Sequence, residues 1–195
     1  MNKLQKRANY LHCSMNAISL LHLWLYDLNR LHINAEIAET FHEQNQDNPS
    51  FHITPNVHLK NKYVNAHRYQ LTMTQLYSYV LHQSVDASTL QFIQEQDDIS
   101  KISGSSYRIQ ASTSDKLKEV REITGISHTA LINAAFSFNH PNENMPETPP
   151  LKTTNISTRI PQPIKKDIID EKTSGKLMSD VIDFKLISFF GYFTL

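Results

Sequence analysis

One cysteine, four glycines and no surplus of either charge remove several classes of protein at once. The lone Cys13 excludes an internal disulfide framework and fits a reducing compartment, so a cytoplasmic location is expected. Glycine stands only at Gly104, Gly125, Gly175 and Gly191, too sparsely for a glycine-rich loop that cradles phosphate. Nineteen Lys and Arg against nineteen Asp and Glu leave no net charge. A role at nucleic acid would therefore need positive charge that is local. Long hydrophobic runs are missing too. The N-terminal one is interrupted by Asn16, Ser19 and His22, ends at Asp27 and has no small-residue cleavage site after it, which reads as a buried helix rather than a signal peptide. Residues 186–195 hold Phe189, Phe190, Tyr192 and Phe193 but are too few to cross a bilayer, and they read as closing a core or a chain–chain contact.

Catalytic signatures are equally sparse. The ten histidines raise the question of a metal, yet the chain has no H-E-x-x-H and no paired-cysteine motif. It also has no nucleophile elbow and no evident pair of carboxylates for acid–base work, so neither an enzyme, a metal site nor a cofactor is expected.

What is present is segmented order. Residues 1–48 read as an N-terminal helical region, with Leu20, Leu21, Leu23, Trp24, Leu28, Leu31 and Ile37 in an apolar stripe. Ordered segments follow at 50–85, 105–139 and 153–195, the last ending in the apolar tail. An acidic connector with Leu90, Phe92 and Ile93 separates the first two, and a linker at 140–152 carrying Pro141, Pro146, Pro149 and Pro150 separates the others.

The most informative stretch is Tyr107-Arg108-Ile109-Gln110-Ala111. It is an alternating strand followed by an amphipathic helix (Leu117, Val120, Ile123), then Gly125 and a second helix opening at Ser127. The pattern recurs. Without a gap, Gly125 falls on Gly175, Thr129 on Ser179, Leu131 on Val181 and Ile132 on Ile182, while Thr72, Thr74 and Leu76 fall on Ser127, Thr129 and Leu131. A first helix precedes each (Leu59, Tyr63, Ala66; Ile164, Ile168, Ile169), and before it a strand-like run, Phe51-His52-Ile53-Thr54 or Ile156-Ser157-Thr158-Arg159-Ile160. Three copies at a spacing of about fifty residues are the reading. A fourth, weaker echo lays Leu4, Arg7, Cys13, Ser14 and Ala17 on Leu117, Val120, Ile126, Ser127 and Ala130, with no strand before it.

Residues 105–138 resemble the Arc/MetJ-type ribbon-helix-helix family, residues 153–190 do so less closely and residues 50–83 loosely. The resemblance implies a mainly α fold with short β ribbons, built of tandem ribbon-helix-helix units plus the N-terminal helical region. It also implies a sequence-specific protein of double-stranded DNA, a transcriptional repressor or a plasmid or phage accessory factor, whose two-stranded antiparallel ribbon lies in the major groove.

Strand physics points the same way. With Tyr107, Ile109 and Ala111 inward, Ser106, Arg108 and Gln110 face out; with Ile156, Thr158 and Ile160 inward, Asn155, Ser157 and Arg159 face out; the first copy offers His52 and Thr54. Arg suits guanine and Gln suits adenine in the major groove. Ser127, His128, Thr129, Lys176 and Ser179 stand at the openings of second helices, where backbone N–H groups hold phosphate, and Ser127 and Ser179 also suit an N-cap. Charge is locally favourable: residues 51–85 carry Lys60, Lys62 and Arg68 with no acid, while Glu43, Asp47, Glu95, Asp97, Asp98, Glu143 and Glu147 gather in connectors. Two arrangements stay open, a homodimer and an intramolecular pseudo-dimer that joins Tyr107–Ala111 to Ile156–Ile160. The competing function is a degenerate unit that serves protein–protein contact or dimerisation without DNA. No membrane partner is expected.

Overall fold

The computed structural model describes residues 2–44, 53–66, 69–86, 101–138, 152–172 and 177–193. The first half is helical: α1 (Asn2–Tyr10), α2 (Met15–Leu25), α3 (Ala35–Gln44), α4 (Val57–Val64) and α5 (Met73–Asp86). Local side chains start most of these helices. Ser14 Oγ accepts the Ala17 N–H at 3.1 Å, Asn34 Oδ1 that of Ile37 at 2.8 Å, and Asn56 Oδ1 that of Leu59 at 2.9 Å. At α5 the cap is reciprocal: Thr72 Oγ1 accepts the Gln75 N–H at 3.3 Å while Gln75 Oε1 accepts the Thr72 N–H at 2.8 Å.

The second half repeats one order of elements. It runs β1 (Ile102–Gln110), α6 (Ala111–Thr124) and α7 (His128–Ser137), then β2 (Thr153–Pro161), α8 (Gln162–Lys172) and α9 (Met178–Phe190). Gly125 closes α6 in the left-handed conformation (φ 73°), its N–H donating to Arg121 O at 2.9 Å, and Ser127 Oγ caps α7 by accepting the Ala130 N–H at 3.3 Å. β1 and β2 pair antiparallel, with Tyr107 facing Ile156, Ser106 facing Ser157 and Arg108 facing Asn155. The pairing is thus made within one chain. Ala111 N–H donates to Lys152 O at 2.8 Å and Gln162 N–H to Lys101 O at 3.0 Å, so equivalent bonds close the ladder at both ends.

Ile109, Ile156, Thr158 and Ile160 are buried on the inner face of the ribbon. Beneath it the helices exchange partners: α7 packs on β2, α9 on β1, and α7 and α9 on each other. Two buried polar side chains make the exchange specific. Asn133 of α7 donates to Arg159 O of β2 at 3.0 Å, and Asp183 of α9 accepts the Gln110 N–H at 3.0 and 3.1 Å. Burial pushes the Asp183 carboxyl above its usual range, opposed by the hydrogen bond from the Gln110 N–H. The tail closes the core, with Phe189, Phe190 and Phe193 buried and Phe138 at 5.4 Å from Phe189.

In the first half α2 packs on α5, and His22, fully buried, ties α1, α2 and α5. Arg7 can only donate, so His22 Nε2 accepts its bond (3.2 Å) and Nδ1–H donates to Ser84 Oγ at 3.0 Å; the Ser84 hydroxyl in turn donates to Leu81 O. That tautomer is neutral, and burial with the Arg7 charge lowers the His22 pKa to about 3. Lys62 Nζ donates to the carbonyls of Leu23, Trp24 and Tyr26 at the end of α2, and burial lowers its pKa to about 8. The halves share one apolar core. They are also stitched by polar bonds: Asn56 Nδ2 and Trp24 Nε1 donate to Ile123 O (2.6 Å) and Thr124 O (3.3 Å), the last carbonyls of α6, and Asn133 donates to Leu11 O at 2.8 Å.

Several expectations change. Ala111 is not an inward strand residue but opens α6, because Asp183 takes the Gln110 N–H and turns the chain there. Both strands are also longer than their alternating cores. Ile53 and Thr54 are not in a strand: Thr54 N–H is held by Asn16 Oδ1 at 3.3 Å, and Pro55 has no N–H to give a ladder. Phe51, His52, the linker prolines, the acidic connector and Gly175 lie outside the described residues, and among those described the sheet has two strands. Ile169 is 45% exposed, leaving Ile164 and Ile168 as the buried stripe of α8. No helix among the described residues is long and apolar enough to cross a membrane.

Candidate nucleic-acid interface

The outer face of the ribbon collects the six residues expected to read bases. Ser106, Arg108, Asn155, Ser157 and Arg159 are exposed and Gln110 is half-buried. Alternation alone puts them there, since their neighbours Tyr107, Ile109, Ile156, Thr158 and Ile160 turn toward the helices. Across the strands, Arg108 Nε donates to Thr153 Oγ1 at 2.8 Å and Ser157 Oγ to Ser106 Oγ at 3.4 Å. The first bond ties the Arg108 guanidinium to the opposite strand.

Charge on this face is of one sign. Neither strand contains an acid, and exposed Lys101 and Lys152 precede β1 and β2, so with Arg108 and Arg159 the ribbon is cationic inside a neutral chain. The two lysines were not singled out by the sequence pattern. Each stands immediately before a strand, and only the antiparallel pairing brings them to opposite ends of one ribbon.

The set expected to hold phosphate is less uniform. Ser127 is an exposed cap at the α7 N-terminus. Thr129 is half-buried in the first turn. His128 is also half-buried; burial and the nearby Arg121 and Lys118 charges lower its pKa, and its Nε2 is buried with no partner. It therefore brings a backbone N–H rather than a cation. Ser179 is no N-cap: α9 opens at Met178, behind Leu177, which makes no side-chain cap, and the Ser179 hydroxyl donates to Asp180 Oδ1 at 3.3 Å. The Asp180 carboxylate in that turn satisfies the helix dipole and opposes a phosphate there. Lys176 lies outside the described residues. Lys62 serves the α2 C-terminus and is not free for a phosphate.

At the β1 start the ribbon meets the first half of the chain. Ser14 and Ser127, the caps of α2 and α7, line one open groove of about 610 Å3 with His12, Cys13 and Ile102. Burial raises the Cys13 pKa to about 12, so the thiol stays protonated and unreactive. No group of three or more His, Cys, Asp or Glu residues that could hold a metal occurs among the described residues.

Asn133 and Asp183, which tie the helices to the exchanged strands, escaped the sequence reading. Their signal was available: the register that sets Gly125 on Gly175 also sets Asn133 on Asp183, a polar residue inside each of two apolar helices. Compared with known proteins, the chain matches no family model, no curated protein and no solved structure.

Proposed function

We propose that residues 101–193 are two ribbon-helix-helix units joined as an intramolecular pseudo-dimer, and that the protein binds double-stranded DNA by laying β1 and β2 in the major groove. The observation that carries this reading is the acid-free ribbon face on which Arg108, Gln110, Asn155 and Arg159 project together away from a shared core. A two-stranded ribbon fits the major groove, and Arg, Gln and Asn are the side chains that pair bidentately with guanine and adenine edges there. Ser127 and the first N–H groups of α7 hold a phosphate and fix the docking. The resemblance to the Arc/MetJ type makes a repressor or a plasmid or phage accessory factor the regulatory setting.

The test is binding of the purified full chain to a random-sequence duplex, followed by fluorescence anisotropy at low and at moderate salt. Affinity that falls with salt is expected, with a shallow slope because the ribbon brings few cations. No affinity at low salt, or affinity indifferent to salt, would overturn the reading in favour of a unit that serves only association between proteins.

A further inference from the structure

The two strands are not equivalent readers. Their pairing has a local two-fold centred where Ser106 faces Ser157, and that symmetry relates Arg108 to Arg159, Gly104 to Asn155, Gln110 to Pro161 and Ile102 to Thr153. The arginines and the central serines match; the other pairs on the outer face do not. Each mismatch sets a side chain that can hydrogen-bond against one that cannot: Asn155 against Gly104, Gln110 against buried Pro161, Thr153 against Ile102, which is 43% exposed.

All the polar members lie at the same end. Gln110 faces Thr153 and Arg108 faces Asn155, so one end of the ribbon presents Arg, Asn, Gln and Thr together. At the other end Arg159 faces Gly104 and Pro161 faces Ile102, leaving Arg159 as the sole outward side chain of the two strands there with base-pairing capacity. The arginines differ in support as well, since Arg108 is braced by Thr153, whose counterpart Ile102 offers no acceptor.

We infer that the protein recognises a non-palindromic duplex, with base discrimination concentrated in the half of the site under Arg108, Gln110 and Asn155, and with the other half read by Arg159 alone. This rests on the duplex-binding reading above. A symmetric homodimer must present the same side chains to both halves of its site; one chain carrying both strands is free of that constraint. The Gly104 position shows where symmetry could be restored, because a Cβ built there meets nothing within 4 Å.

The experiment selects duplexes from a pool randomised over the ribbon's footprint, using the full chain, and then substitutes each base pair of the selected site. Losses of roughly 5- to 100-fold per substitution are expected across one half and at a single base pair of the other. Gly104→Asn should extend discrimination into the second half, and Asn155→Gly should weaken it in the first, so each variant brings the two halves closer to equal. A mirror-symmetric site with equal losses in both halves, or a ratio unmoved by both variants while each still binds duplex, overturns the inference and leaves DNA binding standing. Absence of duplex binding by the parent chain overturns both.

Discussion

The two halves of the chain solve the same packing problem with different endings. In each, a serine-capped helix crosses a partner helix over a shared core: α2 on α5 in the first, α7 on α9 in the second. Only the second adds strands before its helix pairs among the described residues. Buried polarity follows that difference. The first half uses His22, Ser84 and Lys62 to bind helix to helix, whereas the second uses Asn133 and Asp183 to bind helix to ribbon. Both helix pairs feed the one continuous core, and the ribbon is the element that adds an outward polar face.

The largest expected effects concern the core that joins the halves. Ile109→Ala beneath the ribbon and Leu21→Ala in α2 each remove a fully buried side chain and should each cost about 2–5 kcal/mol. Because the buried cluster is continuous, urea unfolding followed by circular dichroism should show one transition that either variant shifts as a whole. Two transitions, each moved by one variant only, would break the comparison into independent bodies.

Next come the arginines. Arg108→Ala and Arg159→Ala should each weaken binding to a preferred duplex by roughly 5- to 100-fold, leave a random duplex less affected and leave the melting temperature unchanged. Equal loss on every sequence would remove them as base readers.

A pH experiment separates the halves by a smaller margin. His22 is neutral when folded, with its pKa lowered to about 3, while the unfolded imidazole takes up a proton near 6.5. Stability is thus unaffected above that value and is lost as pH falls below it, at up to ~1.4 kcal/mol per pH unit. His128 shifts in the same direction but is only half-buried. His22→Gln should flatten the acid limb of stability between pH 6.5 and 5 more than His128→Gln does; an unchanged limb would show that His22 is charged in the fold.

Smallest are the caps. Ser14→Ala and Ser127→Ala should each cost about 1 kcal/mol of stability, and of the two only Ser127→Ala should also weaken duplex binding, at every sequence alike.

Much of this was legible where signals are local. Gly125 at positive φ, Ser127 at its cap and the alternation of Tyr107 to Gln110 and of Asn155 to Ile160 are readable because each depends on neighbours in sequence. The strand extensions were not, because Ile102-Ser103-Gly104-Ser105 is a poor strand former that extends only when β2 supplies partners. The end of β1 was misplaced by one residue for a similar reason, since the group that turns the chain is Asp183, far along the sequence. Ser179 misled because serine near a helix opening suits either the cap or the first turn, and its hydroxyl chose Asp180. Of the outward face, the six polar side chains were found by period alone, while the flanking lysines and the mismatch of Gly104 with Asn155 depend on register.

Joining both strands of the ribbon in one polypeptide also changes how the protein responds to scarcity. A ribbon shared by two molecules dissolves on dilution, since its assembly follows mass action, but one formed in cis keeps its partner at a fixed effective concentration. A few copies per cell would keep the ribbon face as complete as thousands would.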